Sequence, residues 1–198
     1  MKRQTIAVDI DDVLADHVAA FAAFSNANYG TNISKHNYDD AWSKLWEVDR
    51  REIERRALEF HTAESIMQYE LIEAAKESLE HLAHHYDLAV VSARPMHVKD
   101  ASERWLAINF GNMFREVHFL PYWEENNTLT KADLCKRAGA DYLIDDIVKH
   151  CNIAAENGLQ GLLFGDYSWN QADNIHSSVK RLANWKEVVE YFDEQRSR

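Results

Sequence analysis

The chain has 198 residues, 46% of them hydrophobic and 28% charged, with eight Phe, eight Tyr and six Trp. That fits one domain, or one core domain with a modest insertion, folding by burial of apolar surface without disulfides. A formal net charge of -11, from 33 acids against 22 Lys and Arg, argues against a nucleic-acid polymer as partner but admits a small phosphorylated molecule, because a bound divalent cation reverses the sign inside one pocket.

The first predicted element is a buried strand over 5–10, Thr-Ile-Ala-Val-Asp-Ile, which runs into a cluster of acids. Residues 14–67 read as helical and aromatic-rich, with Gly30 and Asn32 marking a break. An amphipathic helix is expected over 70–85, with Leu71, Ala75, Leu79 and Leu82 on one stripe. A second strand over 88–92 ends in Ser-Ala-Arg-Pro, and a helix follows over 97–110. A third short strand, 117–120, stops at Pro121; a helix over 131–138 ends at Gly139. The fourth strand, 142–146, again closes on acids, a helix over 149–157 ends at Gly158, and a fifth strand spans 161–164. A last helix runs over 185–195. Alternating strands and helices mean a parallel α/β sheet with helices on both faces, whose ligands bind beyond the carboxyl ends of the strands. The helical block after the first strand is too long for a simple crossover and is expected to cap the site.

The two cysteines, Cys135 and Cys151, are too few for a disulfide scaffold or a four-ligand zinc site, so two reduced thiols in a cytoplasmic protein are expected. The start of the chain carries no signal-peptide hydrophobic region, and its apolar runs fall far short of the roughly 20 residues that span a bilayer, so no membrane partner is expected.

Polar groups gather where strands end. Asp9 and Asp11 follow the first strand; a carboxylate there serves as a nucleophile for phosphorus, and a second one two residues on as acid and base. A solvated strand end or a helix N-cap accounts for a lone Asp-x-Asp equally well. Asp145 and Asp146 form a second pair, and two acid pairs at adjoining strand ends repel unless a cation such as Mg²⁺ lies between them. Ser92 offers a hydroxyl and a backbone N–H to a phosphate oxygen, although a turn serine looks the same. Lys131 opens a helix, where it opposes the macrodipole; reaching back to a phosphoryl group would explain the position. Three histidines, His81, His84 and His85, have helical spacing that suits a metal, but solvation at a polar helix end accounts for them. The loop 165–170 lies after the fifth strand, as a turn or as part of a recognition surface.

In this order, Asp-x-Asp, Ser, Lys and Asp-Asp resemble the signature of the haloacid dehalogenase (HAD) superfamily of phosphatases. Within it the chain is similar to the 5'(3')-deoxyribonucleotidases and their uncharacterised bacterial and phage relatives. Asp-Asp-Val-Leu-Ala-Asp at 11–16 resembles that group's Asp-Gly-Val-Leu-Ala-Asp, and Ser-Ala-Arg-Pro at 92–95 resembles its second motif. Asn184 and Trp185 near the last helix also agree. Asp12 departs from the pattern, standing where these enzymes usually have Gly. The resemblance implies a Rossmann-like HAD core over 1–14 and 71–198, with a small helical cap over 15–70. It implies a Mg²⁺-dependent phosphomonoester hydrolase working through an aspartyl-phosphate, with Asp9 the nucleophile and Asp11 the acid/base. Ser92, Ala93 and Lys131 would hold phosphoryl oxygens; Asp9, the backbone carbonyl of Asp11 and Asp145 would bind Mg²⁺. Arg94, Asp146 and the cap aromatics Phe21, Trp42 and Trp46 rank below these, the aromatics as surfaces for a base to stack on.

A nucleoside monophosphate is the first substrate reading, and a sugar phosphate or other small metabolite the alternative. A regulatory protein on the same fold is a second alternative, which the filled catalytic positions oppose. A phospho-receiver domain fits poorly, because its acid pair follows the first strand and its Lys comes last. Oligomeric state stays open, a homodimer included.

Overall fold

The computed structural model describes residues 3–121 and 128–197. Six parallel strands form one sheet in the order β3-β2-β1-β4-β5-β6, with β1 Thr5–Val8, β2 Asp87–Arg94, β3 Phe114–Pro121, β4 Tyr142–Asp145, β5 Gln160–Phe164 and β6 Lys180–Leu182. The apolar runs at 5–8 and 142–145 are buried throughout, as a central parallel strand covered on both faces requires. β1 pairs with β2 on one side and β4 on the other. The two acid-tipped strands are therefore neighbours.

Alternation sorts the strand residues onto two faces. Ile6, Val8, Val90, Ile144 and Leu162 join the larger core, with Leu79 of α5 (Ala75–Ala83), Trp105 of α6 (Lys99–Phe110) and Phe192 of α9 (Trp185–Arg196). Ala7, Val91 and Leu143 point the other way, against Leu134 and Cys135 of α7 (Lys131–Arg137) and Ala154 of α8 (Val148–Glu156). Gly161 of β5 lets α8 lie close: a Cβ there would come within 2.7 Å of the Cys151 carbonyl oxygen. Both cysteines are free and buried, and burial pushes the Cys135 thiol up to about 12.

Between β1 and α5 lie α1 (His17–Tyr29), α2 (Trp42–Trp46), α3 (Arg50–Phe60) and α4 (Ala63–Met67). Asp16 caps α1, Asp49 caps α3, and Thr62 with Ser65 forms a capping box on α4. Phe21 anchors their packing, with ring centroids 4.4 Å from Trp42, 5.3 Å from Trp46 and 5.4 Å from Phe60. The chain enters and leaves this segment through one short ribbon. Ala15 bridges Leu71 antiparallel, the Asp16 N–H donates to the Glu70 carbonyl (2.8 Å), and the Ile72 N–H donates to the Leu14 carbonyl (2.9 Å).

The ribbon corrects the expected helix over 70–85. Residues 70–72 are drawn into it, Ala74 in the turn that follows takes a left-handed conformation (φ 61°), and α5 begins only at Ala75. The third strand is longer than expected, from Phe114 to Pro121, and β6 is a sixth strand with no counterpart in the sequence reading.

Candidate active site

Beyond Val8 the chain folds back on itself. The Leu14 and Ala15 N–H groups both donate to the Ile10 carbonyl, at 2.9 and 2.8 Å, and the Asp12 N–H donates to the Ala15 carbonyl at 2.8 Å. Such a loop needs a left-handed residue, and Asp12 supplies it at φ 55°. Gly adopts that conformation freely and Asp tolerates it better than most, which gives the departure at this position a structural reason. Asp12 Oδ1 also accepts from the Val18 N–H (3.0 Å), and its Oδ2 lies 3.5 Å from His17 Nδ1. The Trp185 indole donates to the Val13 carbonyl at 2.9 Å and pins the loop to α9. Asp9 and Asp11 both line the resulting cavity.

Lys131 begins α7 behind a capping box formed by Thr130 and Asp133. It is 3% exposed, and its Nζ lies 2.6 Å from Asp9 Oδ2 and 2.7 Å from Asp145 Oδ2. An ammonium at the first turn of a helix is explained by these carboxylates, which outweigh the dipole. Burial disfavours the charge on Lys131, but Asp145 and Asp9 override it and raise the group above its ordinary range.

The two acids at the end of β4 are held differently. Asp145 Oδ2 accepts from Lys131, while Oδ1 accepts from the Ile147 N–H (2.9 Å) and lies 3.1 Å from His150 Nδ1. Burial opposes ionisation of Asp145, yet Lys131 and then His150 hold its carboxyl well below the usual range. Asp146 has an indole partner instead: Trp169 Nε1–H donates to its Oδ2 at 2.6 Å. Burial, followed by the Asp145, Asp12 and Asp9 charges, pushes Asp146 well above the ordinary carboxylate range. Burial likewise pushes Asp9 up, with Lys131 working against it. Asp9, Asp145 and Asp146 each offer an oxygen within 4.8 Å of the others. Three buried carboxylates converging on one point, with one lysine to balance them, fit a hard divalent cation.

Arg94, at the end of β2 and 2% exposed, grips Asp11 with two donors: Nε–H donates to Oδ2 at 3.1 Å and Nη2–H to Oδ1, while Nη1–H donates to Ser102 Oγ at 2.9 Å. Burial alone would raise Asp11, and the guanidinium overrides it, lowering the carboxyl to about 2. Ser92 is fully buried and its hydroxyl has no hydrogen-bond partner among the described residues, an orphan that a phosphate oxygen would satisfy. Ala93 lines the cavity.

The cavity holds about 550 Å³, enough for a ligand of nucleotide size. Among the expected aromatics, Trp42 lines it, whereas Phe21 and Trp46 are buried in the core and do not. Three residues that sequence reasoning missed join Trp42 in the wall: His17, His61 and Trp169. The His17, Trp42 and His61 rings lie nearly parallel, with centroids 5.6–6.3 Å apart and planes within 19° of one another. They come from α1, α2 and the end of α3, so spacing along the chain carried no signal. Of the three, only Trp169 fell in a segment, the loop 165–170, marked from the sequence.

The family model for the "5' nucleotidase, deoxy (Pyrimidine), cytosolic type C protein" matches residues 3–196. Two Staphylococcus epidermidis proteins, named as candidate 5'(3')-deoxyribonucleotidases, are 25% and 26% identical, each aligned over 98% of both chains. A haloacid dehalogenase-like hydrolase from Streptococcus pneumoniae superimposes with a TM-score of 0.70 at 16% identity, over 96% of this chain and 98% of that one. A Bacillus subtilis HAD hydrolase solved with magnesium gives 0.63 at 14% identity, over 98% and 100%. Among the described residues no helix is long and apolar enough to cross a membrane. The chain belongs to the cytosolic type C 5' nucleotidase family and is a phosphatase on the fold of haloacid dehalogenase-like hydrolases.

Proposed function

We propose that the chain is a Mg²⁺-dependent phosphatase of nucleoside monophosphates, a deoxyribonucleotidase-like enzyme of the cytoplasm. The supporting observation is the buried Asp9–Lys131–Asp145 cluster opening into a cavity walled by stacked rings. In this reading Asp9 attacks phosphorus, and the ester oxygen leaves with a proton from Asp11. Water then hydrolyses the aspartyl-phosphate, giving its proton to Asp11 and releasing phosphate. Asp11 rests ionised beside Arg94, so taking up the proton it donates requires that pairing to relax as substrate enters. Lys131, Ser92 and the Ala93 backbone hold the phosphoryl oxygens, and Lys131 balances charge as it builds. When bound, Mg²⁺ neutralises phosphoryl charge; Asp9, the Asp11 carbonyl and Asp145 are its expected ligands. Asp146 joins them, because one of its oxygens lies within 4.8 Å of an oxygen of Asp9 and of Asp145. Residues 15–70 act as a cap over a core formed by 1–14 and 71–198.

The nucleotide reading is favoured over a sugar phosphate by the ring wall, since every nucleobase has a face that stacks on aromatics. The test is phosphate release from nucleotides and sugar phosphates, with Mg²⁺ and with chelator, for wild type and Asp9→Asn. Release that needs Mg²⁺ and is absent in Asp9→Asn is expected. Release that persists in Asp9→Asn removes the nucleophile assignment, and no release from any substrate by folded protein removes the enzyme reading.

A further inference from the structure

The loop after β5 is tightly built. Gly165 (φ 84°) turns the chain so sharply that a Cβ there would fall 2.1 Å from the Tyr167 ring. The Tyr167 and Trp169 rings stack at 4.3 Å with planes 8° apart. Asn170 is fully buried and donates to the Phe164 carbonyl (2.9 Å), while Arg181 donates to both the Asn170 side chain (2.8 Å) and its carbonyl (2.7 Å). From this base the loop reaches in three directions. Tyr167 OH donates to the Asp12 carbonyl (2.9 Å), and Ser168 Oγ lies 3.0 Å from the Lys35 carbonyl and 3.3 Å from that of Tyr38. Trp169 meets the Tyr38 ring edge-on at 5.1 Å and bonds Asp146 through its indole N–H.

An indole is a donor only and brings no formal charge. A lysine at this place would neutralise Asp146, as Lys131 does for Asp9 and Asp145. The indole fixes one oxygen of Asp146 and leaves the carboxylate's charge available. We propose that Trp169 is a positioning residue that holds Asp146 in register with Asp9 and Asp145 for a divalent cation, and that its edge contact with Tyr38 ties that register to the seating of the helical segment. This rests on the Mg²⁺-dependent reading above and goes beyond it, because the residue touches neither the reacting atoms nor the cation.

Hydrogen-bond partners of metal-ligating carboxylates typically contribute 10–100-fold in affinity. Calorimetric titration of Mg²⁺ into Trp169→Phe, which keeps the ring and loses the N–H, should give a dissociation constant weaker than wild type by about that factor. The rise in Tm on adding Mg²⁺ should shrink in parallel. Tyr38→Leu should weaken Mg²⁺ binding less, by a few-fold. Equal affinity in wild type and Trp169→Phe overturns the proposal and leaves the phosphatase reading standing; a wild type that binds no Mg²⁺ overturns both. If Trp169→Phe does not fold, the indole N–H resonances of ¹⁵N-Trp wild type carry the test. Mg²⁺ should displace one of the six strongly, and a spectrum in which none moves rejects the role.

Discussion

Replacing Lys131 with Met tests whether the buried carboxylates are balanced as described. The side chains are close in length, and Lys131 is 3% exposed, so the change removes a charge with little loss of packing. It takes away the ammonium 2.6 Å from Asp9 and 2.7 Å from Asp145. What remains is three carboxylates with oxygens within 4.8 Å of one another and no lysine among them. Breaking a buried ion pair from one side costs about 3–5 kcal/mol. For a domain of this size each kcal/mol lowers Tm by about 2–4 °C, so the variant should melt roughly 6–20 °C below wild type in chelator. The double variant Lys131→Met with Asp9→Asn removes one of the stranded charges and should recover at least about 1 kcal/mol, a coupling ordinary for residues in contact. Thermal unfolding of wild type, both single variants and the double variant at neutral pH reads this directly. A Lys131→Met variant within about 2 °C of wild type, or a double variant less stable than Lys131→Met alone, would refute the charge balance argued for this cluster.

Arg94→Met should destabilise by about 2–3 kcal/mol at neutral pH, below the full buried-pair cost because the Asp11 side chain is 23% exposed. Asp11 has a depressed folded value of about 2, so its contribution is complete above about pH 4 and is lost as pH falls toward 2; urea unfolding should show the wild-type advantage shrinking over that range. Asp146→Asn should lose most of the Mg²⁺-induced rise in Tm, which at one hundred times the dissociation constant corresponds to about 2.7 kcal/mol. Trp42→Ala should raise KM for nucleoside monophosphates by about 10-fold or more, the scale of one base stack, and leave KM for an aliphatic phosphate ester nearly unchanged. Asp12→Gly relieves a left-handed non-Gly residue but takes the partners from His17 and the Val18 N–H; calorimetry should show folding stability nearly held while KM for nucleotides rises.

The sheet was legible because a parallel strand buried on both faces is written mostly with apolar residues, and 5–8 and 142–144 are such runs, each followed by acids. Lys131 stood out because its charge is misplaced for the helix it opens. β6 had no such signature: only Leu182 of its three residues is buried, and pairing with β5 rather than pattern makes it a strand. Residues 70–72 carry helical spacing, but pairing with a segment some 55 positions earlier claims them, and periodicity within a window sees no partner outside it. The cavity wall was the least legible part. Phe21, Trp42 and Trp46 are alike in type and near in sequence, and tertiary packing alone puts one at the cavity and two in the core. His17, His61 and Trp169 converge from positions up to 152 residues apart (169 minus 17), a juxtaposition that follows from the fold and from no local pattern.

The two thiols packed beneath the sheet have a practical consequence. A thiolate, not a thiol, reacts with alkylating and oxidising agents. Burial pushes the Cys135 thiol up to about 12 and the Cys151 thiol well above its ordinary range, and both are shielded from solvent. At neutral pH the native chain should be silent to maleimides and need no reductant in storage. A single cysteine engineered onto the exposed face of α3 would then be the one reactive thiol in the folded protein. A dye placed there would follow the helical segment from its exposed side.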